Sequence, residues 1–273
     1  MAGSYQTIEL IRDDFDILHV TLQRPEVRNA FNAEVIDELH RCFNQDAMEE
    51  SLRLVILRGE GKSFSAGADL NWMKASAKLS FDANKQSALQ MAAMFASIAE
   101  CPVPVLALVQ GAALGGGAGL LAAADFGFVA DDAKIGFTEV RLGIIPSVIS
   151  PFVLRKVGEV HARRYFCSGE IFDGTEAARI GLAQKSVPVE QLEDEALAFA
   201  KEFLRAGPIA SREAKRLIAE VSGLGIEAAA DQTATWIAKM RGSEEGQEGM
   251  AAFLDKRLAS WVPLNDERKG KKP

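Results

Sequence analysis

Imidazoles and thiols are scarce in this chain: His19, His40 and His161 are its three histidines, and Cys42, Cys101 and Cys167 its three cysteines. Their wide separation excludes the clustered ligands of a zinc site and leaves no imidazole with an assignable Ser or Asp partner for a hydrolytic triad. An odd number of cysteines in apolar surroundings argues against a disulfide framework and predicts core thiols in a reducing compartment. Positive charge is also short. Thirty-one Lys and Arg face thirty-eight Asp and Glu, a net charge of −7, the wrong sign for a general binder of nucleic acid or anionic membrane. No apolar run reaches membrane-spanning length, and the opening MAGSYQTIEL lacks the basic and apolar segments of a secretory signal. A soluble, cytoplasmic protein without a metal is the expectation.

What is present alternates. DILHVTLQR (16–24) and LRLVILRG (52–59) are rich in branched residues, and PVPVLALVQG is the unbroken apolar run of a strand covered on both faces. Between the first two, Asn32 is placed to cap a helix with Val35, Ile36, Leu39, Cys42 and Phe43 on one stripe, and a second helix is predicted over 81–99. After Pro151 strand patterns nearly vanish; Leu192, Ala196, Phe199 and Phe203 share a helical face, and Pro208 opens a helix through Val221. The fold class is therefore mixed α/β, with a core over residues 1–205 and a helical C-terminal subdomain over 206–273 that closes over the core or docks on another subunit. The closing NDERKGKKP reads as a solvated tail.

Two phosphate-binding patterns fail. In RGEGKSFSAG the residues Gly61, Lys62 and Ser63 match the end of a P-loop, but Ile56 stands where its first glycine belongs. Gly115, Gly116, Gly117 and Gly119 miss the spacing of a dinucleotide fingerprint, so a nicotinamide cofactor is not expected. Three consecutive glycines before AGLLAAA nonetheless let backbone approach a ligand and leave the first helical N–H groups unshielded. Close packing of that helix on a sheet accounts for them equally well.

A second small-residue turn, Ser65-Ala66-Gly67-Ala68-Asp69, lies in KSFSAGADLNWM. The order SFSAGADL, GAALGGGAGLL, FTEVRLGIIP, with QRPEVRNAFN before it and SGEIFDGTEAARIGLAQKSVP and AFLDKR after it, resembles the enoyl-CoA hydratase/isomerase (crotonase) family over nearly the whole chain. The resemblance implies a spiral of strand-strand-helix repeats, homotrimers often paired into hexamers, and an acyl-CoA substrate whose enolate oxygen is held by two backbone N–H groups. Those donors fall on Ala68 and Gly116. It also implies CoA along Arg28, Ala66, Ala68, Asp69 and Leu70, with Lys256 reaching its phosphates; as bare residues Arg28 and Lys256 read equally well as solvated charges. Trp72 and Phe137 are assigned to the core.

The pattern departs in one place. Hydratases of the family carry two glutamates, and here the first position is Gly119 while the second is Glu139. A lone carboxyl beside an apolar segment has its pKa raised by desolvation, which suits a proton shuttle. Gly119 is expected to leave room for a bulky acyl chain. IPSVISPFVL and GLLAAADFGF resemble the methylglutaconyl-CoA and isohexenylglutaconyl-CoA hydratases, which implies hydration of a branched, carboxylated 2-enoyl-CoA in leucine or acyclic terpene breakdown, with no cofactor beyond the CoA thioester. Arg141, Ser147 and Ser150 are candidates to meet the distal carboxylate. A Δ3,Δ2-enoyl-CoA isomerase with one glutamate, or a catalytically silent CoA-ester or RNA-binding member, stands as the alternative.

Overall fold

The computed structural model describes residues 5–263. The reading of NDERKGKKP lies outside those residues. By internal contacts the chain divides inside one helix, a first compact unit ending at Ala196 and a second beginning at Leu197; the sequence reading drew that line after residue 205.

The first unit opens with β1 (Ile8–Arg12) and β2 (Ile17–Leu22), an antiparallel pair, followed by α1 (Ala33–Asn44). Asn32 caps α1 through its side chain and the Val35 N–H, and the predicted stripe is its buried face. Then come β3 (Leu54–Gly59), α2 (Leu70–Ser76), α3 (Phe81–Ala99) and β4 (Val105–Val109). All five residues of β4 are buried, as a strand covered on both faces requires.

Next stand β5 (Ala112–Leu114), α4 (Gly116–Ala123), β6 (Phe126–Ala130) and β7 (Lys134–Gly136). Every residue of α4 from Gly117 onward is buried, which explains a helix made wholly of Gly, Ala and Leu. Helix α5 (Ser150–Ser168) is broken at Gly158, where φ is 67°, and leads to β8 (Ile171–Phe172), α6 (Gly174–Arg179) and β9 (Lys185–Val187). The last turn into the second unit is made by α7 (Leu192–Phe203).

Six strands form one sheet in the order β1-β2-β3-β4-β6-β9, parallel from β2 onward. Each parallel step needs a crossover, and α1, α3, α4 and the α5–α6 segment supply them. A second sheet, β5-β7-β8, is made of strands of two or three residues. Phe31, Phe43, Phe64, Phe95, Phe137 and Tyr165 fill the core between these layers. Cys42 and Cys101 are buried with them, but Cys167 is exposed, contrary to its reading as a core thiol. It sits in the last turn of α5, where flanking Phe166 gives an apolar neighbourhood in sequence without burial of the thiol.

In the second unit, α8 (Pro208–Val221), α9 (Ile226–Gly242) and α10 (Glu244–Leu254) follow one another, with Pro208 in the first turn of α8 as predicted. Glu245 ties α10 to the start of α8 by accepting from the Ile209 and Ala210 N–H groups at 2.9 and 2.7 Å. No helix among the described residues is long and apolar enough to cross a membrane.

Candidate active site

Five stretches of chain converge on a cavity of about 460 Å³ in the first unit, and Ala68, Gly116 and Glu139 all line it. Its position follows from how two turns are pinned together. The Ser65 N–H donates to the Ala112 carbonyl and the Leu114 N–H returns to the Ser65 carbonyl, so the turn after β3 runs beside β5 as a short parallel bridge. A second bridge pairs Phe31 with Ala68: the Phe31 N–H donates to the Gly67 carbonyl, and the Asp69 N–H to the Phe31 carbonyl.

These bonds fix direction as well as place. With Gly67 and Asp69 paired to Phe31, the intervening Ala68 N–H points the other way. Among the described residues, neither it nor the Gly116 N–H has a backbone acceptor. Both residues line the same cavity, and the Gly116 N–H also stands at the positive end of α4.

The glycines earn their positions one by one. Gly67 has φ 89°, and a Cβ there would lie 2.6 Å from the Leu114 carbonyl oxygen. At Gly117 it would meet the Ser65 carbonyl oxygen at 2.3 Å, and at Gly116 the Phe31 ring at 2.7 Å. Close packing, one of the two explanations of the glycine run, is met at each of these positions, and Gly116 also lines the cavity.

The segment 24–31 braces the Ala68 turn from beneath. Buried Asn29 donates through Nδ2 to the Glu60 and Ser63 carbonyls and accepts the Arg24 N–H, while the Ser65 hydroxyl donates to the Asn29 carbonyl. Arg24 reaches Asp69 at 3.1 Å. Asp69 in turn caps α2 by accepting from the Asn71 and Trp72 N–H groups. Burial alone would raise its carboxyl; these two N–H groups and Arg24 outweigh that and hold it below the usual carboxylate range. The side chain of Asp69, expected to contact CoA, is committed to this cap.

Glu139 lies in a tight helical turn, Thr138–Leu142, beside the start of α4: a Cβ on Gly115 would be 3.3 Å from its Oε1. Its Oε2 is buried and unpartnered. Burial raises its pKa, with its own main-chain N–H pulling the other way. It is the one charged side chain among the described residues lining the cavity; otherwise apolar side chains such as Trp72, Met91, Ile144 and Ile149 predominate, with Ser76, Asn84, Ser87 and Ser147 among the few polar ones.

Gly119 does not open the cavity. A Cβ there would lie 2.4 Å from Ile149 Cγ2 and 3.0 Å from the Phe95 ring, so the space expected for an acyl branch is already filled by these two side chains. Gly119→Ala is accordingly expected to lower stability by about 1–3 kcal/mol, and its combination with Ile149→Ala to lose less than the sum of the two single losses, as read from chemical denaturation.

The remaining expected residues scatter. Of the three candidates for a distal carboxylate only Ser147 lines the cavity; Arg141 lies along Gly169, and the Ser150 hydroxyl donates to the Ser147 carbonyl at 2.8 Å. Ala66 donates its N–H to the Arg28 carbonyl, and Arg28 is exposed with φ 54°. Leu70 is 73% exposed at the first turn of α2. Lys256 belongs to the second unit, exposed just after α10. Trp72, assigned to the core, lines the cavity, whereas Phe137 is fully buried as expected.

The family model for enoyl-CoA hydratase/isomerase matches residues 13–263. The chain belongs to that family. It is 32% identical to the crotonyl-CoA hydratase of Syntrophomonas wolfei over 261 residues, covering 95% of this chain and 99% of the relative. A peroxisomal Δ3,5-Δ2,4-dienoyl-CoA isomerase of Arabidopsis thaliana is 27% identical over 274 residues, with 96% and 99% covered. Among solved structures, Pseudomonas aeruginosa AtuE superposes with a TM-score of 0.91 at 32% identity, covering 94% of this chain and all of that one. The architecture is the crotonase fold, and hydratase/isomerase chemistry on acyl-CoA is the activity the family supports.

Proposed function

We propose that the protein hydrates a branched 2-enoyl-CoA, with Ala68 and Gly116 as the oxyanion donors and Glu139 as the proton carrier. One observation carries the reading: two unengaged N–H groups and a buried, unpartnered carboxyl oxygen border the same apolar cavity. A thioester carbonyl oxygen placed between the two donors becomes an enolate when hydroxide equivalent adds at C3, and each such donor is worth about 3 kcal/mol in the transition state. Ionised Glu139 takes one proton from the attacking water, whose oxygen bonds to C3. The resulting carboxylic acid then returns a proton to C2, the enolate collapses to the 3-hydroxyacyl thioester, and Glu139 is a carboxylate again. Neither metal nor redox group enters this balance.

A raised pKa fits both halves of the cycle, since a stronger base abstracts and a neutral acid is tolerated in an apolar wall. Arg28, Ala66, Leu70 and Lys256 are proposed along the CoA path, on the resemblance alone; Asp69 contributes by capping α2. A terminal carboxylate on the acyl group would meet Ser147 and Asn84 rather than a cation, so an uncharged branched chain fits the described lining better than the carboxylated one. Homotrimers or hexamers are part of the proposal, supported by Ile226, Phe253 and Leu254, which are 92%, 83% and 78% exposed in the second unit. A reducing cytoplasmic setting is part of the proposal, on the scarcity and spacing of the cysteines alone.

Incubation with 2-enoyl-, 3-enoyl-, 3-methylcrotonyl- and 3-methylglutaconyl-CoA, followed by mass spectrometry, tests the reading. A product heavier by one water from the branched 2-enoyl thioesters is the expected result, with the 3-methylglutaconyl ester the slower of the two. A double-bond shift at constant mass would replace it with the isomerase reading, which the single carboxylate and the dienoyl-CoA isomerase relative favour.

A further inference from the structure

Lys156 is a half-buried titratable group with no part in the chemistry above. It stands on α5 ahead of the break at Gly158, and its Nζ donates to the Leu121 carbonyl oxygen at 2.9 Å. Leu121 belongs to the last turn of α4, the helix that begins at Gly116. The next carbonyl back, Leu120, is taken by the Ala124 N–H. One short helix therefore presents a free N–H to the cavity at its positive end and rests its negative end on an ammonium group.

We propose that Lys156 is a positioning residue for the oxyanion site, holding α4 by its C-terminal carbonyl and adding positive potential along the helix to the Gly116 end. The proposal rests on the enoyl-thioester reading given above. A helix of this length spans ~12 Å, which puts the ammonium ~15 Å from an oxygen bound at Gly116; through protein interior a unit charge at that range shifts an anion's formation by roughly fivefold. The ground-state thioester carbonyl is neutral. Only the enolate feels the full charge, so the effect falls on kcat and spares KM.

The charge is switchable near neutrality. Burial lowers Lys156 to about 8, and Asp125, in the turn after α4, partly offsets this. Helix α4 brings no charged side chain against it, and the Thr138–Leu142 turn, also packed on α5, brings Glu139 and Arg141. Loss of the proton removes the charge but leaves an amine that still donates to Leu121, so kcat should step down to a plateau rather than to zero.

The test uses the full-length protein and a thioester it turns over. Wild type is expected to lose roughly fivefold in kcat across a transition near pH 8, Lys156→Arg to stay on the upper plateau, and Lys156→Met, which lacks the donor as well as the charge, to run flat below the lower one with KM unchanged. Lys156→Gln, which keeps a donor without the charge, should run flat on the lower plateau itself and reads the charge alone even if the Met variant does not fold. A binding measurement stands beside it. Acetoacetyl-CoA, which presents an enolate, should bind Lys156→Met severalfold more weakly than wild type at pH 7, and butyryl-CoA equally well. A step that persists in the uncharged variants, or equal acetoacetyl-CoA binding by wild type and variant, overturns the role of Lys156 alone. Failure of wild type to bind either thioester overturns the enoyl-thioester reading and this inference with it.

Discussion

Glu139→Gln should lower turnover by on the order of a hundredfold or more while leaving the protein at least as stable as wild type. The amide keeps the shape of the side chain and its place beside Gly115 but can neither take a proton from water nor return one to C2. Its effect on stability runs the opposite way to that of a paired carboxylate. The Glu139 pKa is raised in the folded protein by burial, so the unfolded chain gives up this proton first as pH rises. Between the two values the native state binds more protons, and stability falls with rising pH through that window; Gln removes this contribution and with it the destabilisation at neutral pH. Thermal melts at pH 5 and pH 8 read the difference directly. In wild type the same raised pKa places the acid limb of kcat/KM above the ordinary glutamate range, because activity needs the carboxylate. Turnover unchanged in Glu139→Gln would remove this residue from the mechanism, whatever the melts show.

That combination of lost rate and retained stability is the signature of a group kept for chemistry rather than for folding. An unpartnered carboxyl oxygen in an apolar wall has a desolvation cost that no ion pair among the described residues offsets at this position. Asp69, seventy residues earlier, shows the contrast: two N–H groups and Arg24 hold it, and its removal would unravel the start of α2.

The sequence carried the larger elements well because each had an end signal. Asn32 and Pro208 marked where α1 and α8 begin, and the unbroken apolar run at Val105–Val109 could only be a strand buried on both faces. Short elements escaped. Helix α2 has seven residues and no buried face, and β5, β7 and β8 have two or three residues each, shorter than one period of a strand pattern can establish. The glycine run alone left packing and an exposed N–H equally open, and it was the order of the motifs that placed candidate donors at Ala68 and Gly116, both of which line the cavity. The site was not legible where chemistry depends on what fills space. Gly119 shows a missing side chain in the sequence, but that Ile149 and Phe95 occupy the vacancy is a fact of packing between distant segments. Trp72 reads as a core residue by type, and only the turn of α2 brings it to the cavity wall. Asp69, read as a ligand contact, shows its cap role once Asn71 and Trp72 are seen to fold back on it.

Gly67→Ala is expected to lose rate out of proportion to its cost in stability. Two penalties meet at this position. With φ at 89° an L side chain is strained, and the new Cβ would lie 2.6 Å from the Leu114 carbonyl oxygen, which is backbone and cannot swing aside. The turn must therefore move, and the atom it carries next is the Ala68 N–H. Loss of one oxyanion donor alone is worth about 10²–10³ in kcat. Strain alone can be separated from displacement, because Gly223 has φ 90° with nothing within 4 Å of its would-be Cβ and lies in the second unit. Gly223→Ala should destabilise the protein by about 1 kcal/mol and leave kcat near wild type, whereas Gly67→Ala should lose the rate even where it remains folded. Equal and small effects of the two substitutions on kcat would mean that the Ala68 N–H does not hold the reacting oxygen.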